Sequence, residues 1–135
     1  MGTDSRHLAV HISRPVADVY AFASDPANLP KWASGLGGPM VRDGDGWFFD
    51  TPDGRAQIVF APANGLGVLD HDVVTPSGQT VHVPMRVIVD GSGSEVVFTL
   101  RRGDGMTDDD LARDEALVTA DLDRLRDILE SAADA

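Results

Sequence analysis

Cysteine is absent from the 135 residues, which excludes disulfides, thiolate catalysis and any zinc or iron–sulfur site built on Cys ligands. Covalent chemistry is left to Ser, Thr, Lys, Asp and Tyr. Lysine is nearly absent too: Lys31 alone joins ten arginines against 22 acidic residues, for a net charge of −11. Such a chain repels a phosphate backbone, so neither nucleic acid nor an anionic membrane is expected as a partner. No apolar run approaches the ~18 residues of a membrane span. The opening Met1-Gly2-Thr3-Asp4-Ser5 has neither the basic nor the apolar stretch of a secretion signal. A cytoplasmic protein without membrane insertion is expected.

Several chemical motifs are missing as well. Gly35-Leu36-Gly37 leads into Gly38-Pro39 rather than a helix, and no lysine-serine or lysine-threonine pair follows any glycine turn, so a nucleotide cradle is excluded. No Gly-x-Ser-x-Gly elbow occurs, and Gly91-Ser92-Gly93 is too short and falls in a hairpin turn. His7 and His11 have the spacing of a helical metal pair, but on a strand that spacing parts them by ~13 Å. With no set of two histidines and a carboxylate at ligand spacing, no metal and no cofactor are expected.

What is present is strong local pattern. Apolar residues make up 42% of the chain, enough for one sizeable core, and no linker, repeat or low-complexity tract divides it, so residues 1–135 read as a single domain. Arg6–Ile12 alternates, with Leu8, Val10 and Ile12 on one face, as a half-buried strand does. Ser13 and Pro15 supply helix-start chemistry for a short helix carrying Val16, Val19, Tyr20 and Ala23. Asp25-Pro26 repeats that signal and predicts a second short helix to Trp32. From residue 35 onward, apolar runs alternate with turn pairs, Asn64-Gly65 among them. The pattern predicts an antiparallel meander with strands near 40–42, 47–51, 55–61, 67–75, 79–89 and 95–102. Thr107 followed by three aspartates predicts the start of a long helix. Its stripe is Leu111, Glu115, Val118, Leu122, Leu125 and Leu129, with Asp114, Asp121, Asp123, Arg124 and Asp127 on the remaining faces. The class is therefore α+β: a seven-stranded curved antiparallel sheet around a long C-terminal helix, with two short helices after strand one. Such a sheet has room for more side chains than one helix touches, so a gap between them is expected.

The stretch from His7 to Phe22, with His11-Ile12-Ser13-Arg14-Pro15-Val16 at its centre, followed by Asp25-Pro26-Ala27-Asn28-Leu29-Pro30-Lys31-Trp32, resembles the opening of the START-like (SRPBCC) superfamily. That superfamily takes in Bet v 1-type proteins, polyketide cyclases and dehydratases, and lipid-transfer domains. Gly67-Val68-Leu69-Asp70-His71-Asp72-Val73 and Val96-Val97-Phe98-Thr99-Leu100 resemble a bacterial subgroup of small members. The resemblance implies a helix-grip fold over nearly the whole chain and a cavity for an apolar or aromatic small molecule. It does not choose between carriers, sensors and enzymes, and it carries over no catalytic residue.

Within that expectation, His71 is the ionisable residue of most interest, because Leu69, His71 and Val73 share an inward strand face. It would serve as a general acid or base, or orient a ligand, or stand as a core histidine satisfied by a backbone group or water. Asp70 and Asp72 point to the opposite, solvent side and do not pair with it. Glu115, on the helix stripe, is a candidate partner for His71 or else a wetted glutamate. Trp32, Phe49, Phe60, Met85, Phe98 and Val118 complete the expected ligand-binding set, unless packing alone accounts for them. His82 and Arg86 are expected at the surface. The leading expectation is binding of a hydrophobic or aromatic molecule, lipid or polyketide-like. The alternatives are a cyclase or dehydratase using His71, and a protein–protein module pairing two copies through the exposed sheet face.

Overall fold

A computed structural model describes residues 4–33 and 39–133 of the chain; the glycine turn read at 35–38 lies outside them. Strand β1 (Ser5–Ile12) turns Val10 and Ile12 into the core. Helix α1 (Val16–Ala23) follows, opened by Pro15 with its preset φ of −60°. Ser13, expected as its cap, is corrected here: no side chain caps α1, and the Ser13 N–H instead donates to the Glu130 carboxylate at 2.8 Å. Asp25 does cap. Its Oδ1 accepts from the Ala27 N–H at 3.0 Å, and Pro26 opens a 3₁₀ turn that runs into the single-turn helix α2 (Leu29–Trp32).

The remaining strands are β2 (Val41–Asp43), β3 (Gly46–Thr51), β4 (Gly54–Phe60), β5 (His71–Val74), β6 (Thr80–Val83), β7 (Met85–Asp90) and β8 (Gly93–Arg101). They form two antiparallel ladders, β2-β3-β4-β5-β6 and β1-β8-β7. The strand expected over 79–89 is thus broken in two, and the break is Pro84, which has no N–H to give to a ladder. One register nevertheless runs across it. His71 faces Val83, Val68 faces Arg86, the Leu69 N–H donates to the Met85 carbonyl at 2.9 Å, and the Val87 N–H donates to the Gly67 carbonyl at 2.9 Å. Pro84 therefore stands opposite Asp70. The Asp70 carboxylate accepts from the Met85 N–H at 2.9 Å and takes a two-point bond from the Arg86 guanidinium at 2.9 and 2.8 Å. The two ladders are in this way one bent, seven-stranded sheet in which β6 and β7 share a strand position. Asp70, read as a plain surface residue, braces the bend.

The junction also requires Gly67. Its φ is +75°, and a Cβ there would lie 2.1 Å from the Val87 carbonyl oxygen. Asn64-Gly65 is corrected from a tight hairpin turn to part of the loop over 61–70. The Asn64 side chain organises that loop by accepting from the Leu66 and Val68 N–H groups at 2.9 and 3.1 Å.

Helix α3 (Asp108–Ala133) begins with the reciprocal cap its sequence announces. The Asp110 N–H donates to Thr107 Oγ1 at 3.1 Å, while the Thr107 N–H donates to the Asp110 carboxylate at 3.0 Å. Leu122, Leu125 and Leu129 enter the core with Ile12, Val87 and Val96. Each such side chain contributes ~1.5–3 kcal/mol on burial. α3 lies closest to β1 and touches β8 more lightly.

Candidate functional site

Away from β1, helix and sheet part around a cavity of about 280 Å³, partly open to solvent. The sheet contributes Phe49 from β3, Ile58 from β4, His71 and Val73 from β5, and Phe98 from β8. Val118, Asp121 and Leu122 come from α3, and Leu29, Trp32 and Ala33 roof it from α2. The roof is tied down by Arg124, whose Nη1 donates to the Trp32 carbonyl at 2.8 Å and to Asp121 Oδ1 at 3.0 Å. Trp32 itself is buried, and its indole N–H is the one buried side-chain polar group without a partner among the described residues. An unpaired buried donor costs ~1–3 kcal/mol.

His71 has a defined protonation pattern. Its Nδ1 lies 3.0 Å from the Leu69 carbonyl oxygen, which only accepts, so Nδ1 carries the proton and donates. Nε2 is left with a lone pair and, among the described residues, no donor. Burial pushes the imidazole pKa below its ordinary 6.5, against smaller opposing effects of the Leu69 carbonyl, Asp70 and Asp72. The ring is therefore neutral at pH 7. Phe60, paired with His71 across β4 and β5, holds its ring from behind at a centroid distance of 5.0 Å. Asp70 and Asp72 are both engaged elsewhere: the Arg86 guanidinium holds the Asp70 carboxyl below its usual range, and Asp72 sits 2.6 Å from His82 Nδ1.

Neither a protein-family model nor a curated protein sequence matches the chain. Solved structures do. The Aha1 dimer from Colwellia psychrerythraea superposes with a TM-score of 0.73 at 15% identity, over 94% of this chain and 96% of that one. Ara h 8.0201 gives 0.65 at 12% identity, over 96% and 99%. DynU16, a protein of the dynemicin biosynthetic locus, gives 0.69 at 19% identity over 97% of this chain, which spans about half (49%) of DynU16. The chain has the START-like, helix-grip fold.

Within this fold, five of the expected ligand-binding residues stand around the cavity: Trp32, Phe49, His71, Phe98 and Val118. Three do not line it. Met85 is 1% exposed and belongs to the packed core, paired with Phe98 in the ladder of β7 and β8. Phe60 stands behind His71 and lines, with His71, Asp70, Asp72 and His82, a separate groove of about 140 Å³. Glu115, half-buried, sits three residues before Val118 on α3, less than one turn, and does not line the cavity beside His71. Asp121 is corrected in the other direction: placed on the polar side of α3 by its charge, it lines the cavity with its side chain 15% exposed. Its position three residues after Val118 was the available signal. Ile58 and Val73 were legible from strand alternation, Val73 two residues from His71 and Ile58 two from Phe60. Leu29 and Ala33 were not, since the contact of α2 with the sheet and α3 is wholly tertiary. Among the described residues no group of His, Asp and Glu could hold a metal ion, and no helix is long and apolar enough to cross a membrane.

Proposed function

We propose that this START-like chain binds a small apolar molecule between α3 and the β3–β5 side of its sheet. The observation that carries the reading is the cavity itself, about 280 Å³ with a mostly apolar wall. That volume sits at the lower edge of the ~300–1,000 Å³ typical of small-molecule sites. It equals the space of about nine liquid waters at ~30 Å³ each, room for one or two fused rings rather than a long acyl chain. The likeness to DynU16, from a biosynthetic locus, favours a polyketide-like aromatic over a lipid. In this reading Trp32, Phe49, His71, Phe98 and Val118 touch the occupant.

The test is a titration of the ¹⁵N-labelled protein with 2-methylnaphthalene. The Trp32 indole N–H signal should shift saturably while that of Trp47, which does not line the cavity, stays in place. Val118→Phe, which fills the space, should abolish the shift. An unmoved Trp32 signal at the solubility limit of the probe ends the reading.

A second reading has His71 acting as a general base in a cyclase-type proton transfer, favoured by its unprotonated Nε2 in a mostly apolar wall. Its low basicity weighs against efficiency. Turnover of a polyketide analogue that His71→Ala loses while retaining binding would establish it; retained turnover would dismiss it.

A further inference from the structure

The polar groups of the cavity restrict its occupant more narrowly than volume does. Resting on the binding reading above, we infer that the occupant is an uncharged, ring-sized molecule whose hydroxyl donates to His71 Nε2, and that carboxylates and phosphate esters are excluded.

The hydroxyl follows from how His71 is committed. Its only N–H is spent on the Leu69 carbonyl, so towards a ligand the imidazole accepts and does not donate. Among the described residues the polar groups around it are engaged otherwise, the Trp32 indole N–H of the roof excepted. On its own strand segment, Asp70 holds the Met85 N–H and Arg86, and Asp72 holds His82 of β6. On α3, Asp121 is paired with Arg124. From β4, Phe60 offers only its ring. A molecule bringing an O–H completes the hydrogen bonding of Nε2, whereas a carbonyl oxygen would set lone pair against lone pair.

Exclusion of anions follows from charge. Among the described residues no lysine or arginine lines the cavity, and residues 34–38 carry no ionisable side chain in the sequence. Arg124 does not itself line the cavity, and its Nη1 is bonded to Asp121 and to the Trp32 carbonyl. An ionised carboxylate inside would meet Asp121 and no counter-ion, a burial that is strongly unfavourable. The net charge of −11 opposes its approach as well.

Three probes of similar size separate the cases: 2-naphthol, 2-methylnaphthalene and 2-naphthoate, each titrated at pH 7 by calorimetry. 2-Naphthol should bind about tenfold tighter than 2-methylnaphthalene, the worth of one well-placed hydrogen bond, and 2-naphthoate should bind weakest. His71→Leu should abolish the tenfold difference between 2-naphthol and 2-methylnaphthalene. Should that variant fail to fold, the imidazole ¹⁵N spectrum of the wild type decides: the Nε2 resonance should move with 2-naphthol and not with 2-methylnaphthalene. Equal affinities of those two, tightest binding of 2-naphthoate, or an unmoved Nε2 would each overturn the inference while the cavity reading stands. Binding of none of the three would bring down the cavity reading and this inference with it.

Discussion

Around Ile12 of β1 and Val96 of β8 the sheet packs tightly into the core with α3, whereas along β3, β4 and β5, and at Phe98 of β8, it stands off around the cavity. Ile12, Val96 and Leu125 on the first side have no solvent exposure at all. On the second, Val73, Phe98 and Val118 stay only half-buried although they face inward. The difference is one of width. A helix ~10–12 Å across covers two or three strands spaced ~4.8 Å apart, and this sheet is seven strands wide. One side of it must be closed by something else, and the short α2, held by Arg124, closes it incompletely. Tight packing and open space thereby fall to different parts of one core.

The sharpest way to break that comparison uses two leucines three residues apart on α3. Leu125→Ala, in the packed half, should cost near the upper end of the ~2–5 kcal/mol range, and Leu122→Ala, whose side chain already borders empty space, near the lower end. Equal losses in urea denaturation would mean that the two halves are packed alike. Next in size is Gly67→Ala at the junction of the two ladders, which forces a strained φ and a clash with the Val87 carbonyl. It should cost about 1–3 kcal/mol or more, and hydrogen exchange should accelerate at Val87 before it does along β1.

Arg124→Ala should cost only about 1 kcal/mol, since the side chain is 43% exposed and water screens its pairing with Asp121. Its effect on the hollow half should be larger than that figure suggests, and faster exchange of the Trp32 indole proton with global stability nearly unchanged would show it. The smallest effect is in pH. Burial keeps folded His71 neutral below its ordinary pKa of 6.5, so as pH falls past 6.5 the unfolded chain takes up a proton that the folded one refuses. Stability should therefore decline from about pH 6.5 down to the lowered folded value and then level off. Comparing denaturation midpoints of the wild type and His71→Leu between pH 7.5 and 5 isolates this slope, and identical slopes would place His71 in water rather than in the wall.

Much of this was legible before any coordinates. The reciprocal cap at Thr107, the cap at Asp25, the alternation of β1 and the leucine stripe of α3 are local signals, each carried by residues a few positions apart. Leu69, His71 and Val73 were correctly read as inward by the same rule. The failures share a cause. Asp121 was assigned outward because charge predicts exposure, and its bond to Arg124 helps to make its inward place tolerable. Pro84 was read through as part of a strand, and the neighbouring Met85 N–H turns out to donate to the Asp70 carboxylate, fifteen residues earlier in the chain. Asn64 looked like a two-residue turn because its side-chain bonds to the loop are invisible in a dipeptide.

The sequence by itself determined the elements, their order and the faces they bury, because hydrophobic period, caps and turn chemistry act over distances of a few residues. Only the tertiary structure decided that α3 lies against β1 and leaves β3–β5 uncovered, that Met85 falls in the core while His71 stands on the wall, and that the Nδ1 proton of His71 goes to the Leu69 carbonyl. Those outcomes depend on the width of the sheet against that of one helix, and on which buried polar group finds which partner across the chain. No local pattern encodes either.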